Sequence, residues 1–94
     1  MKIDLKIYLP MLTEVVGRDE LEVELDGRTA GDLLDHLTRT YGKGARDALL
    51  DERGQLDLEV QLLRNRKDWI TRDSLNTELE EGDHVTIMVL MAGG

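Results

Sequence analysis

The chain ends in VTIMVLMAGG, residues 85–94: an apolar run that reads as a strand, followed by two glycines. Glycine loses more freedom on ordering than any other residue, so Gly93 and Gly94 are not placed for stability. They read as a frayed end, as a remnant of cloning, or as a carboxylate that is used chemically. Only the last involves chemistry. An α-carboxylate is an unreactive anion at neutral pH and enters acyl transfer only once activated, for example as a mixed anhydride with AMP. Two residues without side chains would thread a tunnel too narrow for Cβ atoms and present the carboxyl carbon to a nucleotide on another protein.

The rest of the chain offers little competing chemistry. There is no cysteine, hence no thiol nucleophile, disulfide or thiolate metal site; this is compatible with a reducing cytoplasm, the expected location. Ser74 is the single serine and lacks a Gly-x-Ser-x-Gly context. His36 and His84 fall on different elements without ligand spacing, so no metal site is expected. Gly42-Lys43-Gly44 lacks the spacing of a phosphate-binding loop. Pairs such as Glu80-Glu81 and Asp51-Glu52 belong to a chain with 20 acidic and 12 basic residues and a formal charge of -8, and read as solvated loops. That charge repels phosphate backbones, so nucleic acid is not an expected partner. The one basic stretch, LLRNRKDWITR, places Arg64, Arg66, Lys67 and Arg72 around the only tryptophan, Trp69, and reads as a solvated turn between strands. The opening MKIDLKIYLP alternates instead of forming an apolar block, so neither a signal peptide nor a membrane span is expected.

The elements that must hold the terminus follow from periodicity. Ile3, Leu5, Ile7 and Leu9 alternate with polar residues and predict a first strand with one buried face, ended by Pro10. Residues 11–20, MLTEVVGRDE, read as a connection, and Leu21 to Leu25 as a second strand in a hairpin with the first. Thr29 with Asp32 three residues on predicts a capped helix, with Ala30, Leu33, Leu34, Leu37 and Tyr41 on one face and Gly42 as a left-handed stop. Ala45 to Leu50 suggest a short second helical turn. Leu58, Val60 and Leu62 mark a third strand, Asn65-Arg66 a turn, and Trp69-Ile70 a short fourth strand. The fifth has Val85, Ile87, Val89 and Met91 on one face and His84, Thr86, Met88 and Leu90 on the other. This order predicts an α+β fold of one domain over 1–94: a β-grasp with a mixed sheet of four to five strands, one main helix on one face, and first and last strands parallel at the centre. A flexible tail is expected over 92–94. Met88 and Leu90 are apolar where a one-sided sheet would be polar, so that face is either buried too or a docking surface.

The stretch VQLLRNRKDW, then LNTELEEGDHVTIMVLMAGG, resembles the small sulfur carriers of the ubiquitin-like superfamily, namely the small subunit of molybdopterin synthase and the thiamin-pathway carrier. Leu75, Leu79, Gly82, Asp83, Val85, Gly93 and Gly94 carry the resemblance, while the front half agrees more loosely. The turn is Asn65-Arg66 where the family often has Asn-Gly, and no aromatic-proline segment precedes the glycines. The resemblance implies that Gly94 is adenylated and then converted to a thiocarboxylate that donates sulfur in cofactor biosynthesis, with the molybdopterin branch preferred over thiamin. It implies Met88, Leu90, Met91, Ala92 and Gly93 as partner-binding residues, an adenylating enzyme that uses ATP and a sulfur-accepting synthase subunit as partners, and no bound cofactor. The chain would then be the substrate of an enzyme. The alternatives are a protein modifier conjugated through Gly94 and a non-catalytic interaction module.

Overall fold

The computed structural model describes residues 1–89. Alternation builds the sheet as expected. Strand β1 (Lys2–Tyr8) buries Ile3, Leu5 and Ile7, and Leu9 just beyond it, while Lys2, Asp4 and Tyr8 stay exposed. Pro10 does end the strand, but residues 10–16 are not a plain connection: they form helix α1 (Pro10–Val16). Proline at the first helical position has its missing N–H where none is needed. Gly17 closes the helix at φ 90°, its N–H donating to the Thr13 carbonyl at 2.8 Å. Leu12 is its one fully buried residue, so the helix leaves too weak an apolar stripe to be seen as periodic.

Strand β2 (Glu20–Glu24) returns antiparallel to β1, with Ile3 opposite Val23 and Leu5 opposite Leu21. Helix α2 (Ala30–Tyr41) begins at the expected capping box: Asp32 N–H donates to Thr29 Oγ1 at 3.1 Å, and Thr29 N–H donates to Asp32 Oδ2 at 3.0 Å. Ala30, Leu33, Leu34 and Leu37 are buried. Gly42 takes φ 72° and ψ -146°, outside the left-handed helical well and close to a region open almost only to glycine. It thereby joins α2 directly to helix α3 (Lys43–Leu49), which buries Ala45, Ala48 and Leu49. Among the described residues the fold thus has one long α-helix and two short ones.

Strand β3 (Val60–Arg64) starts later than expected, because Leu58 is 73% exposed and outside the ladder. Strand β4 (Asp68–Ile70) pairs antiparallel with β3, a 3-10 turn covers Arg72–Ser74, and β5 (His84–Val89) closes the sheet. The sheet order is β2-β1-β5-β3-β4. Strands β1 and β5 are parallel, while β5 and β3 are antiparallel. The helices cover the face made by Ile3, Leu5, Ile7, Val23, Leu62, Ile70, Val85 and Ile87, which join Leu33, Leu37 and Leu49 in one core. Central position matters for β5. It is held on both edges, and it is the strand that leads to the terminus.

Candidate functional site

Of the residues expected to carry function, Met88 lies in the described structure; Leu90, Met91, Ala92, Gly93 and Gly94, and with them the expected flexible tail, lie outside it. Met88 sits on the sheet face away from the helices, opposite Tyr8 of β1 and Gln61 of β3, and is half-buried. Register brings companions that no local pattern shows. Thr86 lies between Lys6 and Leu63, and Leu63 faces Trp69 across β3 and β4. Tyr8 is 58% exposed and Trp69 54%, so Tyr8, Met88, Leu63 and Trp69 form an apolar strip over three neighbouring strands and the edge of a fourth. Thr86, at 5% exposure, shows that the middle of this open face is shielded by its own side chains.

The other half of the open face is acidic. Glu20, Glu22 and Glu24 of β2 project beside Lys6, Asp4 and Lys2 of β1. Lys6 makes ion pairs to Asp19 at 3.3 Å and Glu20 at 3.4 Å, and its ammonium lies 5.1 Å from the Tyr8 ring centre. Partial desolvation works against its charge, yet the two carboxylates outweigh it and raise the lysine above its ordinary value. The face therefore offers an apolar strip near the end of β5, bordered on one side by negative charge.

The other end of β5 is locked by polar groups. Asp83, 7% exposed, accepts from Arg64 Nε at 2.7 Å, Asn65 Nδ2 at 3.0 Å and the Glu80 N–H at 2.8 Å. Asn65 in turn accepts the His84 N–H at 2.8 Å on its side chain and donates its own N–H to the His84 carbonyl at 2.6 Å. Burial alone would push the Asp83 carboxyl up. The hydrogen bonds from Asn65, Glu80 and Arg64, with the Arg64 charge, prevail and hold it below its ordinary value. In the sequence Asp83 is visible only as part of a pattern; its side-chain partners Asn65 and Arg64 lie 18 and 19 residues away. A second clamp joins Arg72 to Asp51 at 2.7 Å and to the Leu56 carbonyl at 2.8 Å.

The histidines do not converge. His84 opens β5, and His36 lines a shallow cavity with Asp26, Asp32, Asp35 and Arg39. Among the described residues no group of three or more His, Cys, Asp or Glu is placed to hold a metal ion. Nor is any described helix long and apolar enough to cross a membrane.

A helix-covered mixed sheet with parallel first and last strands defines a ubiquitin-like β-grasp. Residues 7–94 match the ThiS family, and the chain belongs to it. Small archaeal modifier protein 3 of Haloferax volcanii is 30% identical over 95 residues, with both chains covered completely. A putative sulfur carrier protein of Archaeoglobus fulgidus is 27% identical over 90 residues, covering 96% of this chain and 98% of the relative. The crystal structure of SAMP1 from Haloferax volcanii superposes with a TM-score of 0.80 at 25% identity, each chain covered in full.

Proposed function

We propose that this protein is a sulfur carrier whose reactive group is the carboxylate of Gly94. The family match that runs to residue 94 and takes in both glycines is the observation that carries this reading. In the first step the carboxylate attacks the α-phosphorus of ATP on an adenylating partner, forming acyl-AMP and releasing pyrophosphate. In the second, hydrosulfide at the sulfide level attacks the acyl carbon and AMP leaves with its bonding pair, giving a terminal thiocarboxylate; were the donor a protein persulfide, the acyl disulfide first formed would be cleaved by a second thiol, which ends in a disulfide with the donor. A synthase subunit then accepts the sulfur for cofactor assembly, in the molybdopterin branch before the thiamin branch. The carrier contributes no catalytic side chain and no bound cofactor. Its part is delivery: the apolar strip of Tyr8, Met88, Leu63 and Trp69, with Leu90 and Met91, docks on the enzyme, while Ala92, Gly93 and Gly94 enter the nucleotide site.

A second reading is supported by the 30% identical relative named as a modifier. The same acyl-AMP, passed through the partner to a lysine amine, would yield an isopeptide bond at Gly94. Both readings share activation at the terminus and part at the acceptor. Co-expression with a cognate adenylating enzyme and sulfur source, followed by intact mass, tests the first. Exchange of one oxygen for sulfur supports the carrier, adducts on other proteins support the modifier, and an unchanged mass with no pyrophosphate exchange returns the domain to an interaction module.

A further inference from the structure

The four cations between residues 64 and 72 divide into two kinds. Arg64 is paired with Asp83 and Arg72 with Asp51. Arg66 and Lys67 are exposed, and among the described residues neither forms an ion pair. They belong to the three-residue loop 65–67 between β3 and β4, whose last pair is Arg64 with Asp68; within it a turn runs from Arg64 to Lys67, closed by the Lys67 N–H donating to the Arg64 carbonyl at 3.0 Å. Both central residues of this turn have positive φ, 51° at Asn65 and 60° at Arg66, the geometry that favours Asn-Gly. Asn65 suits its position and is locked in by Asp83 and His84. Arg66 does not suit its own: a β-carbon there strains a backbone that glycine would take freely. Folding stability therefore does not account for an arginine at this place, and a use for its charge would.

We infer that the Arg66–Lys67 tip is a docking contact for an acidic segment of a protein partner. The inference rests on the carrier reading, in which that partner is the adenylating enzyme. A planar guanidinium beside a compact ammonium on a stiff turn suits carboxylates placed side by side. In a chain of formal charge -8, this tip sets two exposed cations side by side, with Asp68 as the adjoining carboxylate. Polyphosphate is the poorer match, because two neighbouring cations suit a pair of carboxylates but are few for a phosphate backbone, whose binding grows with the number of cations that engage it. Position fixes the role. The turn follows Arg64, which lies opposite Val85 at the start of β5, whereas the chain runs to its terminus from Val89, four residues or about 13 Å farther along the strand. The tip therefore acts on association and orientation and touches none of the reacting atoms.

The test is pyrophosphate exchange with the native adenylating enzyme, measured against carrier concentration and salt. The R66E/K67E double variant raises KM for the carrier about tenfold at low salt, leaves kcat within about twofold, and flattens the salt dependence. R66G raises KM several-fold while its unfolding midpoint stays level or rises. An unchanged KM in the double variant, or an R66G protein that unfolds more readily than the native one, overturns the docking tip. Tighter binding of the native chain to single-stranded RNA than to the enzyme overturns the choice of a protein partner. A native chain that supports no exchange overturns the carrier reading beneath it, an outcome separable from the others by the native control.

Discussion

The two ends of β5 are built differently. At the His84 end, side chains from Arg64 and Asn65 and backbone groups of Lys2, Asp4 and Glu80 converge on Asp83 and its neighbours. At the Val89 end the described residues contribute ladder pairing and apolar contact: Val89 opposite Val60, Met88 between Tyr8 and Gln61. A strand fixed firmly at its start delivers its far end to one place, whereas clamps at the far end would obstruct a partner. The Arg64–Asp83 ion pair lies in the anchor, whereas the apolar strip runs from Trp69 and Leu63, level with Thr86, to Met88 and Tyr8 near the other end.

The largest loss of stability is expected where both ends share support. Leu37 is fully buried in the core under the sheet, so Leu37→Ala should cost about 2–5 kcal/mol by chemical denaturation and loosen the whole strand. A loss under about half a kcal/mol would mean that α2 does not carry the core.

Asp83→Asn should come next. It leaves Arg64 without its carboxylate in a mostly buried setting and should cost about 3 kcal/mol. Amide exchange should accelerate first around Asn65 and His84, before Val89; uniform acceleration would remove the distinction between the ends. The same carboxylate predicts a pH effect. Because its folded value is depressed, its stabilisation is complete above the unfolded value of about 3.9 and is lost as pH falls through the folded value. Asp32 and Asp51, also depressed, the first chiefly by the Arg28 N–H and the second chiefly by the Gln55 N–H, act in the same direction. Native stability should thus fall below about pH 4, and Asp83→Asn should show a shallower fall. Equal slopes would mean that the clamp is not ionised as described.

At the delivery end the effect on folding should be small. Met88→Asp is expected to cost less than about 1.5 kcal/mol, since the residue is half-buried on the open face, yet to weaken binding to the adenylating enzyme at least tenfold. Leu90→Asp, already named as a docking position, should add to the loss of binding. A Met88→Asp protein that loses several kcal/mol would make this residue core and not a contact.

What could be read in advance follows from how local each feature is. The alternation of Ile3, Leu5 and Ile7 and the Thr29–Asp32 box are short-range, so strands, long helix and fold class were legible. Helix α1 was not, because a seven-residue helix with one fully buried side chain leaves almost no period to detect. Leu58 misled for the opposite reason: it is apolar but takes no part in the sheet. Met88 was found by parity along one strand, whereas Tyr8, Leu63 and Trp69 join it only through register between distant segments. Likewise the Asp83 clamp needs two turns to meet, which no spacing in the sequence records.

The central claim is that the terminus of Gly94 is the reactive group and the folded domain its handle. Adding one residue after Gly94 moves the carboxylate by about 3.5 Å, enough to lose alignment with the nucleotide phosphate, and should leave unfolding unchanged. The decisive measurement is pyrophosphate exchange with the cognate adenylating enzyme, paired with the intact mass of the carrier. The native chain should support exchange and gain sulfur, and the extended chain should do neither; an extended chain activated as well as the native one, with its mass showing no trimming, would contradict the account.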